Sequence, residues 1–171
     1  WTGYVKRSLF AFYRDRTKHE AGEPAETRLN AMQVWGVTDR GAVRQQNQDA
    51  YATKVLEDGR VIALVCDGMG GARAGNVAST MAVELFMEEF FKADSSGPVE
   101  ERMGHAASVA NLAVFNRSVH EADCAGMGTT LVAALAGDRE AVILNEGDSR
   151  AYHINREGIV LVTRDHSLVE D

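Results

Sequence analysis

The chain holds 171 residues with 25 acidic and 18 basic side chains, a formal net charge of −7 and 45% apolar residues, the balance of an ordinary soluble globular domain. A chain of this size buries about 70% of its unfolded surface and needs no disulfide or metal staple. The acidic balance argues against nucleic acid as a partner, because a phosphate backbone demands clustered Lys and Arg. No apolar run approaches the roughly 18 residues of a membrane span, and the order of a secretory signal is missing. The two cysteines, Cys66 and Cys124, make no disulfide framework and read as buried thiols of a cytoplasmic protein.

Residues 1–33 form the first predicted unit, an arm with six basic residues against four acidic ones and an aromatic front of Trp1, Tyr4, Phe10, Phe12 and Tyr13. Ala21-Gly22-Glu23-Pro24 breaks any helix there. The arm reads as a tail or linker helix packed on its own domain, with contact to a membrane surface as the alternative. The main domain then runs from 34 to 171. Its first strand covers 34–38, with Trp35 as a core anchor, and its second covers 50–56. Glu57-Asp58-Gly59-Arg60 turns the chain into an apolar run over 61–66, the pattern of a strand buried on both faces.

A Gly-rich loop, Asp67-Gly68-Met69-Gly70-Gly71, comes next. Helices are predicted over 76–92, with Ala78, Met81, Ala82, Leu85 and Phe86 on one stripe, and over 99–121, with Met103, Ala106, Ala110 and Val114 facing inward. The short Ser-Gly-Pro link between them makes an antiparallel pair. Strands return over 129–136, 140–145, 150–154 and 158–162. Strands, two helices and strands again, with hairpin spacing, make the fold α+β with antiparallel sheets.

Chemistry concentrates at three acidic positions, each at a strand end. Asp67 closes the buried run, and the glycines after it let backbone oxygens and water approach. Asp49 opens the strand whose hairpin partner ends at Asp67, so both carboxylates can share one sheet edge. Asp148 lies between two strands in Gly147-Asp148-Ser149-Arg150. Oxygen donors of this kind suit Mg²⁺ or Mn²⁺. Taken alone, the Asp67 segment also reads as a plain turn that caps the next helix. Other phosphate chemistries fail on pattern. No P-loop is present, Cys66 and Arg73 are one residue too far apart for a cysteine-phosphatase loop, and no Gly-x-Ser-x-Gly elbow occurs.

Six segments in order, Thr38-Asp39-Arg40-Gly41, 44–49, 67–71, Gly126-Met127-Gly128-Thr129-Thr130, 147–150 and Thr163-Arg164-Asp165-His166-Ser167, resemble the bacterial type 2C metal-dependent protein serine/threonine phosphatases, the PPM family. The resemblance covers 34–171. It implies an antiparallel β-sandwich flanked by helix pairs, with two Mn²⁺ or Mg²⁺ ions at one end. Asp67 would bridge the metals, Gly68 would offer its carbonyl, Asp49 would hold a metal or its water, and Asp148 matches a third, weaker site. Arg44 would grip the substrate phosphate as a bidentate fork, and Asp165 and His166 would support the site from behind. The implied reaction is in-line attack of a metal-activated water on phosphoserine or phosphothreonine in protein substrates, opposed by a Ser/Thr kinase.

Two departures accompany the resemblance. Ala72 stands where relatives commonly carry a His. The family also continues past the position of Asp171 into a Ser-Asp-Gly motif and a late Asp-Asn motif, whose aspartates are metal ligands. The expectation is therefore a phosphatase domain incomplete at its C-terminus, with impaired activity and exposed sheet edges that favour a homodimer. The alternative is a non-catalytic, phosphatase-like interaction or regulatory module. His19, His105, His120 and His153 are scattered without ligand spacing and read as ordinary core or surface residues.

Overall fold

The computed structural model describes residues 8–13, 32–40, 46–71, 74–92 and 97–166. Strand β1 (Ser8–Tyr13) pairs antiparallel with β2 (Gln33–Thr38) as a two-stranded ribbon. A five-stranded antiparallel sheet follows, built from β3 (Asp49–Val55), β4 (Val61–Met69), β5 (Gly128–Thr129), β6 (Leu131–Ala136) and β7 (Ala141–Glu146). Its order is β3-β4-β6-β7, with β5 paired to the far end of β4. Helices α1 (Ala74–Lys92) and α2 (Val99–His120) pack together and cover one face. A last ribbon joins β8 (Tyr152–Asn155) to β9 (Gly158–Leu161). The class is α+β with antiparallel sheets, as the spacing requires.

The centre of the sheet follows from its composition. Val61 to Cys66 and Leu131 to Ala136 are buried at every position, which is how a strand with neighbours on both edges and layers on both faces must read. Ile62, Leu64 and Cys66 alternate onto the helix side, where they meet Leu131, Ala133 and Leu135 of β6. From α1, Phe86 and Phe90 stack with ring centroids 6.2 Å apart, and Met103 of α2 joins them, fully buried. Burying one such side chain contributes about 1.5–3 kcal/mol. Arg102 ties the two helices at their junction. Its Nη2 donates to the Phe90 carbonyl at 3.0 Å, and its guanidinium lies over the Phe90 ring at 4.4 Å.

The β3–β4 turn closes around Gly59, whose φ of 81° no β-branched residue could adopt cheaply. Asp58 accepts from the Arg60 N–H at 3.0 Å and from its guanidinium at 2.7 Å. Those bonds hold the Asp58 carboxyl below its ordinary value.

Four expectations are corrected. Asp67 to Met69 are not loop but the last three residues of β4, because Gly68 and Met69 find a partner strand in Gly128 and Thr129. The predicted strand 129–136 breaks at Thr130 into β5 and β6. Trp35 is 54% exposed rather than a core anchor, since β2 alternates with 33, 35 and 37 turned outward. Gly36 is covered instead by Tyr51, whose hydroxyl donates to its carbonyl at 3.2 Å. Within the N-terminal stretch, 8–13 is a strand rather than a helix, its backbone satisfied by β2.

Candidate active site

The sheet brings Asp49 and Asp67 face to face. They are register partners across β3 and β4, so their side chains leave the same side of the sheet about 5 Å apart at Cβ. The ladder extends one bond further, with the Gly68 N–H donating to the Gln48 carbonyl at 3.0 Å. Behind this pair, α1 begins close against β4. A Cβ on Gly68 would lie 1.9 Å from the Gly75 carbonyl oxygen and 2.7 Å from that of Gln48. Only glycine permits that approach, and it fixes the helix start beside the two carboxylates.

Main-chain and hydroxyl contacts lock both aspartates in place. Asp67 donates its N–H to Thr130 Oγ1 and accepts from the Thr130 N–H, each at 3.0 Å. Asn47 Oδ1 accepts from the Asp49 N–H at 3.1 Å, and its Nδ2 donates to Thr38 Oγ1 at 2.8 Å. Both carboxylates are partly buried. Two like charges directly opposite one another repel, and a divalent cation is one group that can offset such a pair.

The third acid sits in the loop after β7. Asp148 is exposed, while its neighbours are held tightly. Gly147 has a φ of 95° and packs against Thr130. Its carbonyl accepts from Asn145 Nδ2 at 3.2 Å and from the His166 N–H at 3.0 Å. Arg150 donates in a fork to Asp165, from Nε at 2.9 Å and Nη2 at 2.5 Å. That carboxylate raises the Arg150 pKa further above its ordinary value. Asp165 and His166 thus brace the loop that carries Asp148, and His166 does so with its backbone.

Arg44 and Ser167 lie outside the described residues, as does most of 1–33. Among the described residues, no three His, Cys, Asp or Glu side chains converge as a metal cluster, so Asp148 does not join the Asp49–Asp67 pair. The donor chemistry nevertheless fits a hard cation. Two carboxylates and a nearby carbonyl are all oxygen, and Mg²⁺ is commonly held by one or two carboxylates while keeping its waters. Reasoning from sequence gave no role to Asn47, Thr130, Asn145 or Ser149. Asn47, Thr130 and Ser149 carried only the signal of lying in the segments 44–49, 126–130 and 147–150, and Asn145 carried none.

Comparisons with known proteins agree with this fold. A family model described as protein phosphatase 2C matches residues 39–167. The serine/threonine phosphatase Stp of Listeria monocytogenes is 39% identical over 137 residues, which is 78% of this chain and 54% of that protein. Protein phosphatase PhpP of Streptococcus pneumoniae is 37% identical over 142 residues, 82% of this chain and 57% of that one. Among solved structures, the serine/threonine phosphatase of S. agalactiae superposes with a TM-score of 0.70 at 31% identity, covering 77% of this chain and 55% of that chain. The chain spans about half the length of the curated relatives it matches. It belongs to the protein phosphatase 2C family.

Proposed function

We propose that this chain carries the Asp49–Asp67 half of a metal-dependent protein serine/threonine phosphatase site. The observation that supports this most is the register pairing of those two acids at one sheet end, within a chain whose relatives are named serine/threonine phosphatases. Those names favour an enzyme over an interaction module. Asp49, Asp67 and the Gly68 carbonyl would hold Mn²⁺ or Mg²⁺, with Asp67 shared between two ions, and Asp148 would hold a third more weakly. Such ions, when bound, activate water and neutralise charge on the phosphoryl oxygens. Arg44 would grip the phosphate as a fork, and Asp165 with Arg150 keeps the Asp148 loop in position.

The substrates in this reading are phosphoserine and phosphothreonine proteins, with a Ser/Thr kinase in opposition. Two free buried thiols suit a reducing cytoplasm. Among the described residues no helix is long and apolar enough to cross a membrane. The exposed ribbon β8–β9, with Tyr152, Ile154, Ile159 and Leu161 on one face, supports a homodimer. Light scattering that reads a monomer at high concentration counts against that dimer. With two carboxylates at the centre, this span alone should turn over slowly. The test is hydrolysis of a phosphothreonine peptide with and without Mn²⁺, beside Asp67→Asn. Activity that needs Mn²⁺ and disappears in the variant is expected. Equal activity in both proteins would refute the reading.

A further inference from the structure

Thr130 stands at the break between β5 and β6, and it is tied to Asp67 through both main-chain polar groups of that residue. The same hydroxyl lies 2.6 Å from Ser149 Oγ. The Thr130 hydroxyl accepts the Asp67 N–H and shares one further hydrogen bond with Ser149 Oγ, for which either hydroxyl can supply the proton. Ser149 is only 3% exposed, so water does not readily replace this bond. On the other side of Thr130, its Cγ2 would stand 2.9 Å from a Cβ at Gly147, so the methyl group packs on the loop just where the hydroxyl holds it.

Sheet pairing holds the start of the Asp148 loop, where Glu146 faces Leu131, but not its far side, because the ribbon β8–β9 is not part of the five-stranded sheet. The loop is bonded to Asp165 and His166, and Asn145 at the end of β7 to the Arg164 carbonyl. The Thr130–Ser149 contact crosses instead to the strand end that carries Asp67.

We propose that Thr130 and Ser149 form a hydroxyl latch that fixes the Asp148 loop against the Asp67 end of β4, which makes both positioning residues for the cation site. The latch is a property of the metal-free chain, while its consequence for cations rests on the phosphatase reading above. Because the latch joins the two acidic segments mechanically, a cation that orders one segment favours binding at the other, and the effect is reciprocal.

The test uses three single variants. Thr130→Val keeps the shape and removes the hydroxyl, Ser149→Ala removes the partner, and Thr130→Ser keeps the hydroxyl while losing the methyl group. Amide hydrogen exchange on the metal-free chain is read first, followed by Mn²⁺ titration. Loss of the bond should speed exchange at 147–150 about tenfold in Thr130→Val and Ser149→Ala, with the Asp67 amide also faster in Thr130→Val. Thr130→Ser should stay near wild type, and the double variant should add little to either single change. Mn²⁺ affinity should fall in the two loosened variants and recover in Thr130→Ser. That recovery is what a purely space-filling role would not produce.

Wild-type exchange rates at 147–150 in both Thr130→Val and Ser149→Ala would overturn the latch. Unchanged Mn²⁺ affinity in loosened variants would overturn the positioning role. If the wild-type chain bound no Mn²⁺ while the exchange pattern held, the latch would stand and the metal-site reading would fall. Should Thr130→Val fail to fold, Ser149→Ala breaks the same bond from the other side and decides the question.

Discussion

Among the described glycines, Gly68 stands in the tightest place. A Cβ there meets two carbonyl oxygens of the main chain, and neither can step aside without moving α1 or β3. Gly68→Ala should therefore cost about 3 kcal/mol, measured by urea unfolding. Gly104, inside α2, meets nothing within 4 Å, and Gly104→Ala should stabilise by about 1 kcal/mol in the same assay. Cys66 makes a second prediction at this scale. Burial pushes its thiol from 9.0 up to about 12, so thiol reagents at pH 8 should label it only on unfolding. Below pH 9 the thiol is neutral in both folded and unfolded chains and leaves stability untouched. As pH rises from 9 towards 12, the unfolded thiol ionises first and stability declines. Asp67 and Asp148 stood out in the sequence because each lies beside a glycine at a strand end, and Asp49 because it opens the strand whose hairpin partner ends at Asp67. Thr130 did not, because its role depends on an amide 63 positions away.

Among the elements, the buried strands and the helix pair were the easiest to read. A run such as Val61 to Cys66 has one stable environment, and the stripe ending in Phe86 has one apolar face to bury. Phe86→Ala should cost about 3–5 kcal/mol on thermal or urea unfolding, whereas Trp35→Ala, at an outward position of β2, should change stability by about 0.5 kcal/mol or less. Similar losses in the two variants would contradict the assignment of core and surface. The extension of β4 through Asp67-Gly68-Met69 was not legible. Three glycines in the five residues 67–71 look like a loop, and only a distant pair, Gly128 and Thr129, supplies the partner strand for Gly68 and Met69. The strand at 8–13 was hidden for the same reason, since its partner β2 lies twenty residues on.

For the molecule as a whole, one sheet end gathers the two central acids and the start of α1. The hairpin register sets Asp49 against Asp67, α1 closes from behind at Gly75, and the braced loop after β7 is tied to the same strand end through Thr130 and Ser149. The fold class and the two central acids could be read from order and spacing. Coupling between the segments could not, because hydroxyl contacts leave no periodic trace. The central claim is that the Asp49–Asp67 pair binds a divalent cation. Calorimetric titration of Mn²⁺ into the wild-type chain and into Asp67→Asn tests it most directly. The account predicts saturable binding to wild type that is lost in the variant, and binding of equal strength to both would contradict it.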